Sequence, residues 1–198
     1  MTDNTDSKPT AAGKSSFDLI DAAAFYRELD LKKGITFLDL ACGRGAYSLK
    51  ASEIVGPGGT VFAVDLWQEG IEQLKASAAE QNIQNIEAFV SDAGRHIPVN
   101  DQVVDVCLMA TVLHDFVDDQ ISKEVLHEVV RVLKTDGMLA IVEFNKIDGP
   151  PGPPVHIRLS PAEVGDMLGP YGFTQERLLE VGPYNYLMLF RKSGSGHS

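Results

Sequence analysis

The chain has 198 residues, enough for one domain with a full core, and 44% apolar with 23% charged residues is ordinary globular composition. Its formal net charge of −11, with local basic clusters no longer than Lys32-Lys33 and Arg191-Lys192, argues against nucleic acid and anionic membrane surfaces as partners. No stretch reaches the length of a membrane span, and two cysteines without a CxxC pair fit a reducing cytoplasm better than a disulfide framework.

In chain order, "MTDNTDSKPTAAGKSS" (1–16) is polar and lacks the apolar core of a secretory signal, so it reads as a disordered leader. Apolar residues at helical spacing predict a helix over 17–31. "ITFLDL" (35–40) is a short β-rich run, followed by a glycine loop and a helix over 46–55 that "GPGG" stops. Strands are expected at 60–66, 86–93, 103–110 and 138–144, with a helix over 69–82. A fourth helix, 118–134, puts Ile121, Val125, Val129 and Val132 on one face. Strand and helix alternate five times, and the strand interiors are almost continuously apolar. That pattern predicts an α/β fold, a doubly wound, mostly parallel sheet with helices on both faces. The Pro-rich stretch 145–160 ends in "SPAE", a capping-box start for a short helix to about Leu168. Two strand-like runs, 173–181 and 184–192, then form an antiparallel pair, and 193–198 is a flexible tail. The organisation expected is one domain over 17–192.

In such a sheet ligands bind at the carboxyl ends of the strands, where strand order reverses. The loop Ala41-Cys42-Gly43-Arg44-Gly45 follows the first strand, and its two glycines let backbone approach a ligand. It is no P-loop, because Ala46-Tyr47 stands where Lys-Ser/Thr is needed. A dinucleotide fingerprint also fails, with Ala41 at the first glycine position and Ser48 at the third. Asp39, Asp65 and Asp92 end the first three strands on one edge. Asp65 stands where a carboxylate accepts both hydroxyls of an adenosine ribose. Asp92 suits an adenine amino group, and Asp39 suits a cationic amino or sulfonium centre.

The segments "LDLACGRG", "VFAVDL", "VSDA", "CLMATVLHDF" and "LKTDGMLAIVEF", with the closing strand pair, resemble class I S-adenosylmethionine-dependent methyltransferases of the ubiquinone/menaquinone C-methyltransferase type. The likeness spans roughly 17–192. It implies a Rossmann-like seven-stranded sheet with an antiparallel last strand, and S-adenosyl-L-methionine as cofactor. It implies the carboxylate end of the cofactor near Ala41, Cys42, Gly43 and Gly45, its ribose on Asp65, and its adenine near Leu66 and Asp92-Ala93. Asp39 and Met109, the latter in the segment ending strand four, join this set. Ala41 departs from the family's first glycine, with tighter packing and no loss of binding expected. The function implied is in-line methyl transfer to a small molecule. The alternatives from other classes are an NAD-dependent oxidoreductase and a non-catalytic cofactor-binding protein.

The family's substrate pocket begins after strand four, where His114, followed by Asp115, is either a general base, the catalytic candidate, or a residue that only shapes the pocket. Glu143 ends strand five at the same edge. Asp118 and Asp119 read as acids at a helix N-terminus. His156 and Arg158, in the Pro-rich loop, either close over substrate or pin the loop to the body. No ligand spacing supports a metal site from His114, Asp115, Glu143 and His156. His127 reads as surface or packing, Cys42 as a small loop residue and Cys107 as core. An arsenite-type activity needs more thiolates than these two. The acceptor and the oligomeric state are not readable from the sequence.

Overall fold

A computed structural model describes residue 13 and residues 15–193. The expected leader and tail lie mostly outside the described residues.

The elements are α1 (Ala22–Leu29), β1 (Thr36–Leu40), α2 (Ala46–Val55), β2 (Thr60–Asp65), α3 (Gln68–Glu80), β3 (Ile86–Val90), β4 (Val104–Ala110), α4 (Leu113–Asp118), α5 (Ser122–Val132), β5 (Leu133–Phe144), α6 (Pro161–Leu168), β6 (Phe173–Glu180) and β7 (Asn185–Lys192). They form one seven-stranded sheet in the order β3-β2-β1-β4-β5-β7-β6. The five N-terminal strands pair in parallel, and β7 runs antiparallel to both β5 and β6. The chain moves outward from β1 to β3, then returns to lay β4 on the other side of β1. The carboxyl ends of β1 and β4 therefore flank the crevice that this topology opens for a ligand.

Alternation along the strands builds a core on each face. Val106 and Leu108 of β4 join Met138, Ala140 and Val142 of β5 and Phe25 and Leu29 of α1. Cys107 and Met109 join Leu139 and Ile141 and the α5 residues Val125, Leu126, Val129 and Val132 on the other face. Burying both faces accounts for the apolar runs seen in the sequence.

Four expectations need correction. The leading helix is broken: Phe17–Leu19 is a 3-10 turn, Ile20 is extended, and Asp21 caps α1 by accepting from the Ala24 amide at 3.0 Å. Asp21 competes for the backbone as an N-cap rather than lying inside a helix. The helix predicted over 118–134 forms as α5 but starts later, at Ser122, because a separate helix, α4, ends at Asp118 and the chain turns at Gln120 with φ 61°. Asp118 and Asp119 thus end α4 instead of opening α5, and His114 lies in α4. β3 stops at Val90, so Asp92 sits beyond the strand end. Finally, β5 begins at Leu133 rather than at residue 138, with Asp136 (φ 60°) and Gly137 forming an irregularity inside its ladder.

The cap at α6 forms as its sequence dictates. The Glu163 amide donates to Ser160 Oγ at 3.3 Å, and the Ser160 amide donates to Glu163 Oε2 at 2.7 Å, with Pro161 at the first position.

Candidate functional site

The loop after β1 is held to β2 by backbone. The Ala41 and Cys42 amides both donate to the Val64 carbonyl, and the Gly45 amide closes back on Cys42. Ala41, Gly43 and Gly45 all have positive φ, at 59°, 57° and 75°. Glycine is free to adopt that region, whereas Ala41 does so at a cost of about 1 kcal/mol. At Gly45 an added Cβ would stand 2.3 Å from the Leu74 side chain, and at Gly70 one would meet the Gly43 carbonyl oxygen at 2.7 Å. Helix α3 therefore lies directly against the loop, and neither glycine accepts a side chain without a shift. A Cβ at Gly43 would meet nothing within 4 Å, so the loop's tip faces open space.

Asp65 ties loop and helix together. Its Oδ2 accepts from the Gly43 amide and its Oδ1 from the Trp67 amide, both at 2.7 Å. Burial raises its pKa, and these amide bonds oppose the rise. Each carboxylate oxygen keeps a further lone pair for a ligand hydroxyl. Leu66 and Val90, beside Asp65 in sequence and in register, are exposed apolar side chains at that edge. Asp92 accepts the Gly94 amide at 2.9 Å in an Asx turn and pairs with Arg95 at 3.3 Å, while Ala93 packs on the core. Met109 lies wholly within the core on the α5 face, buried among apolar side chains.

Asp39 is almost fully buried, and Ser48 Oγ donates to its Oδ2 at 2.6 Å. Burial pushes its carboxyl up to about 7, partly opposed by the Ser48 bond and assisted by the charge of Asp65. The folded state therefore keeps a proton that the unfolded chain releases near its ordinary value of 3.8. Stability contributed by this proton is lost as pH rises from about 4 to about 7, and the loss is complete above that. Asp39→Asn keeps an acceptor for Ser48 and removes the titration. It is expected to unfold at higher urea than wild type at pH 8, by at most about 4 kcal/mol, with the gap closing towards pH 4. Equal stability of the two proteins at pH 8 would refute the buried-charge account.

The thiols of Cys42 and Cys107 are buried and pushed up by burial, so neither presents the exposed thiolate that a thiophilic As(III) species such as arsenite needs.

The structure pairs His114 with Glu143. His114 Nδ1 and Glu143 Oε2 are 2.7 Å apart, the His114 amide donates to Oε1 at 3.2 Å, and both side chains are buried. Asp115 Oδ1 lies 3.5 Å from Nε2 on the other side of the ring. Burial disfavours the imidazolium, but the hydrogen bond and charge of Glu143 outweigh it, and the pKa is raised from its ordinary 6.5. The carboxylate fixes the ring's orientation and, in the neutral form, directs the proton to Nδ1 and the lone pair to Nε2. Penultimate positions in β5 and β1 put Glu143 and Asp39 on opposite faces at the same edge of the sheet.

Arg158 pins the Pro-rich loop. Its guanidinium is buried and donates to five carbonyls: Pro153 from Nε, Asn145 and Ile147 from Nη1, and Gly149 and Pro151 from Nη2, at 2.6–3.0 Å. Every N–H of the side chain is used, so Arg158 has none left for a ligand. His156 is exposed on the same loop. Among the described residues no three His, Cys, Asp or Glu side chains converge to hold a metal ion.

A small cavity of about 60 Å³ borders the loop, lined by Asp39, Ala41, Cys42, Gly43, Arg44 and Tyr47 together with Ala110, Thr111 and the N-terminal Ser15 and Ser16. Sequence reasoning missed Ser16, Arg44, Tyr47 and Thr111. Arg44 had a signal, being a cation inside the glycine loop, and it stacks 5.5 Å over the Trp67 ring. Ser16 and Thr111 carried none. The open tip at Gly43, the Asp65 carboxylate and the exposed Leu66–Val90 edge fit a ribonucleoside, with a buried acid, Asp39, beside the cavity to meet positive charge.

Comparison with known proteins agrees. A family profile described as "Methyltransferase domain" matches residues 31–166. The chain is 31% identical over 126 residues to a demethylmenaquinone methyltransferase of Lactobacillus johnsonii, covering 64% of this chain and 50% of that protein. It is 32% identical over 120 residues to a ubiquinone/menaquinone biosynthesis C-methyltransferase of Haemophilus ducreyi, covering 59% and 44%. The chain thus spans about half the length of these curated relatives. The crystal structure of a SAM-dependent methyltransferase from Aquifex aeolicus superposes with a TM-score of 0.81 at 30% identity, covering 89% of this chain and 92% of that one.

Proposed function

Because the chain belongs to the SAM-dependent methyltransferase family, we propose that it transfers a methyl group from S-adenosyl-L-methionine to a hydroxylated small molecule, a hydroquinone or phenol in chemical class. The cofactor, when bound, supplies an electrophilic methyl group on a sulfonium. The chain's own residues do the rest. Asp65 accepts the ribose hydroxyls, and the exposed Leu66 side chain with Asp92-Ala93 meets the adenine. The loop from Ala41 through Gly45 meets the amino-acid end, with Asp39 offsetting positive charge there. The single observation that supports an acidic acceptor is the buried His114–Glu143 pair. An imidazole oriented by a carboxylate suits removal of a hydroxyl proton, which converts a poor nucleophile into a good one. The names of the two quinone methyltransferase relatives support the acceptor class. The residues over 17–192 act as one domain. A net charge of −11 supports a small molecule over nucleic acid, and free Cys42 and Cys107 support a cytoplasmic site. No helix of the described residues is long and apolar enough to cross a membrane.

The test uses radiolabelled S-adenosylmethionine with 1,4-naphthohydroquinone as acceptor. Label is expected to enter the acceptor along a pH limb that rises as His114 loses its proton, above its ordinary 6.5. Glu143→Gln removes the charge that raises that pKa and shifts the limb to lower pH. His114→Asn is expected to lose about 10²–10⁴ in kcat while binding S-adenosylhomocysteine as wild type does. Unchanged turnover in His114→Asn sinks the base role.

A further inference from the structure

The N-terminal segment is not a bystander to the cofactor site. Ser16 is buried, and its Oγ lies 2.9 Å from Tyr47 Oη and 3.2 Å from Thr111 Oγ1. Those two partners come from different elements. Tyr47 is the second residue of α2, just past the glycine loop, and Thr111 follows β4 across the crevice. One hydroxyl thus joins the N-terminal segment to both sides of the topological switch point.

Each member is held firmly. The Tyr47 ring takes the edges of Phe17 at 5.0 Å and Phe25 at 5.4 Å, and Tyr26 Oη donates to the Tyr47 carbonyl at 2.7 Å. Burial keeps the Tyr47 phenol protonated, so it is a neutral hydrogen-bonding partner. Thr111 has φ 54°, a conformation that a β-branched residue adopts only when its surroundings impose it. The bond from its amide to the Val142 carbonyl, at 2.7 Å, holds it there. The segment then runs across the β6–β7 turn, where the Asp21 amide donates to the Val181 carbonyl. Contact is so close that a Cβ on Gly182 would lie 2.4 Å from the Leu19 carbonyl oxygen.

The cavity that Ser15 and Ser16 close measures about 60 Å³. Sites for ligands of nucleoside size are several times larger, from about 300 Å³. A wall of this cavity has to yield for such a ligand to pass. β1, β4 and the glycine loop are tied into the sheet ladder, whereas Ser16 is attached by two side-chain bonds. Ser16 also lies outside residues 31–166, so nothing in the family match assigns it a role.

We propose that Ser15 and Ser16 form the closing wall of the cofactor pocket, with the Ser16 hydroxyl as a latch on Tyr47 and Thr111 that must part for S-adenosylmethionine to enter and for S-adenosylhomocysteine to leave. This rests on the assignment of the pocket to that cofactor. Ser16 is a positioning residue, and its effect is on rates of exchange.

Stopped-flow binding of S-adenosylhomocysteine, read by Trp67 fluorescence and checked by calorimetry, tests the latch. Ser16→Ala is expected to release the ligand about tenfold faster than wild type, with the same melting temperature within about 2 °C. In Ser16→Cys/Thr111→Cys, oxidation should slow association at least about a hundredfold, and dithiothreitol should restore it. Wild-type rates in Ser16→Ala overturn the latch while leaving the cofactor assignment intact. So does an oxidised double-cysteine protein that still binds at the wild-type rate. Wild-type protein that binds no S-adenosylhomocysteine overturns the cofactor assignment itself, and the latch with it.

Discussion

Asp65→Ala is expected to weaken S-adenosylhomocysteine at least a hundredfold, about 3–5 kcal/mol. Charge-assisted hydrogen bonds contribute about 1.5–3 kcal/mol each, and a carboxylate at this position offers two to a ribose diol. A second loss adds to the first. Asp65 also accepts the Gly43 and Trp67 amides, so its removal frees the loop and the start of α3 from each other. Asp65→Asn separates the two contributions. The amide keeps one acceptor and loses the charge, so its affinity should fall between those of wild type and alanine. Isothermal titration calorimetry measures all three, with circular dichroism to verify the fold. An alanine variant within threefold of wild type would remove Asp65 from the cofactor site.

Arg158→Leu is expected to destabilise the protein by about 3–5 kcal/mol. Five loop carbonyls lose their donor in one step, and leucine replaces none of them. For a chain of this size the melting temperature should drop by roughly 10 °C. Lysine should rescue little, because three donors on one nitrogen cannot reach carbonyls arrayed around a planar fork. Limited proteolysis should find new cleavage within residues 145–157 before the rest of the chain unfolds. The predicted choice between closing on substrate and pinning the loop is resolved in favour of pinning for Arg158. A variant that loses less than about 1 kcal/mol would mean that water or backbone satisfies those carbonyls without the guanidinium.

Much of the candidate cofactor site's backbone was legible because its signals are local. The glycine pair marks the loop where positive φ is needed, and Asp65 ends the second strand at a fixed distance along the chain. The His114–Glu143 pairing was only half legible. His114 and Glu143 were both candidates, but they stand 29 residues apart and nothing in either segment declares the partner. They meet because β4 and β5 are neighbours in the sheet and α4 folds back over their ends. Asp92 was expected at the end of the third strand and instead lies two residues beyond β3, where it spends one oxygen on its own turn, because aspartate after a strand competes for nearby amides.

The sequence by itself determined the layers. Period-two and period-3.6 patterns, glycine stops and the Ser160–Glu163 cap are properties of a few consecutive residues, so they survive without knowledge of neighbours. Tertiary structure alone decided what Arg158 holds, that Met109 faces the core, and that Ser16 meets Tyr47 and Thr111. Those outcomes depend on which elements lie side by side. A hydrogen bond between distant segments leaves no period in the chain, and a polar residue looks the same in sequence whether water or a buried hydroxyl satisfies it.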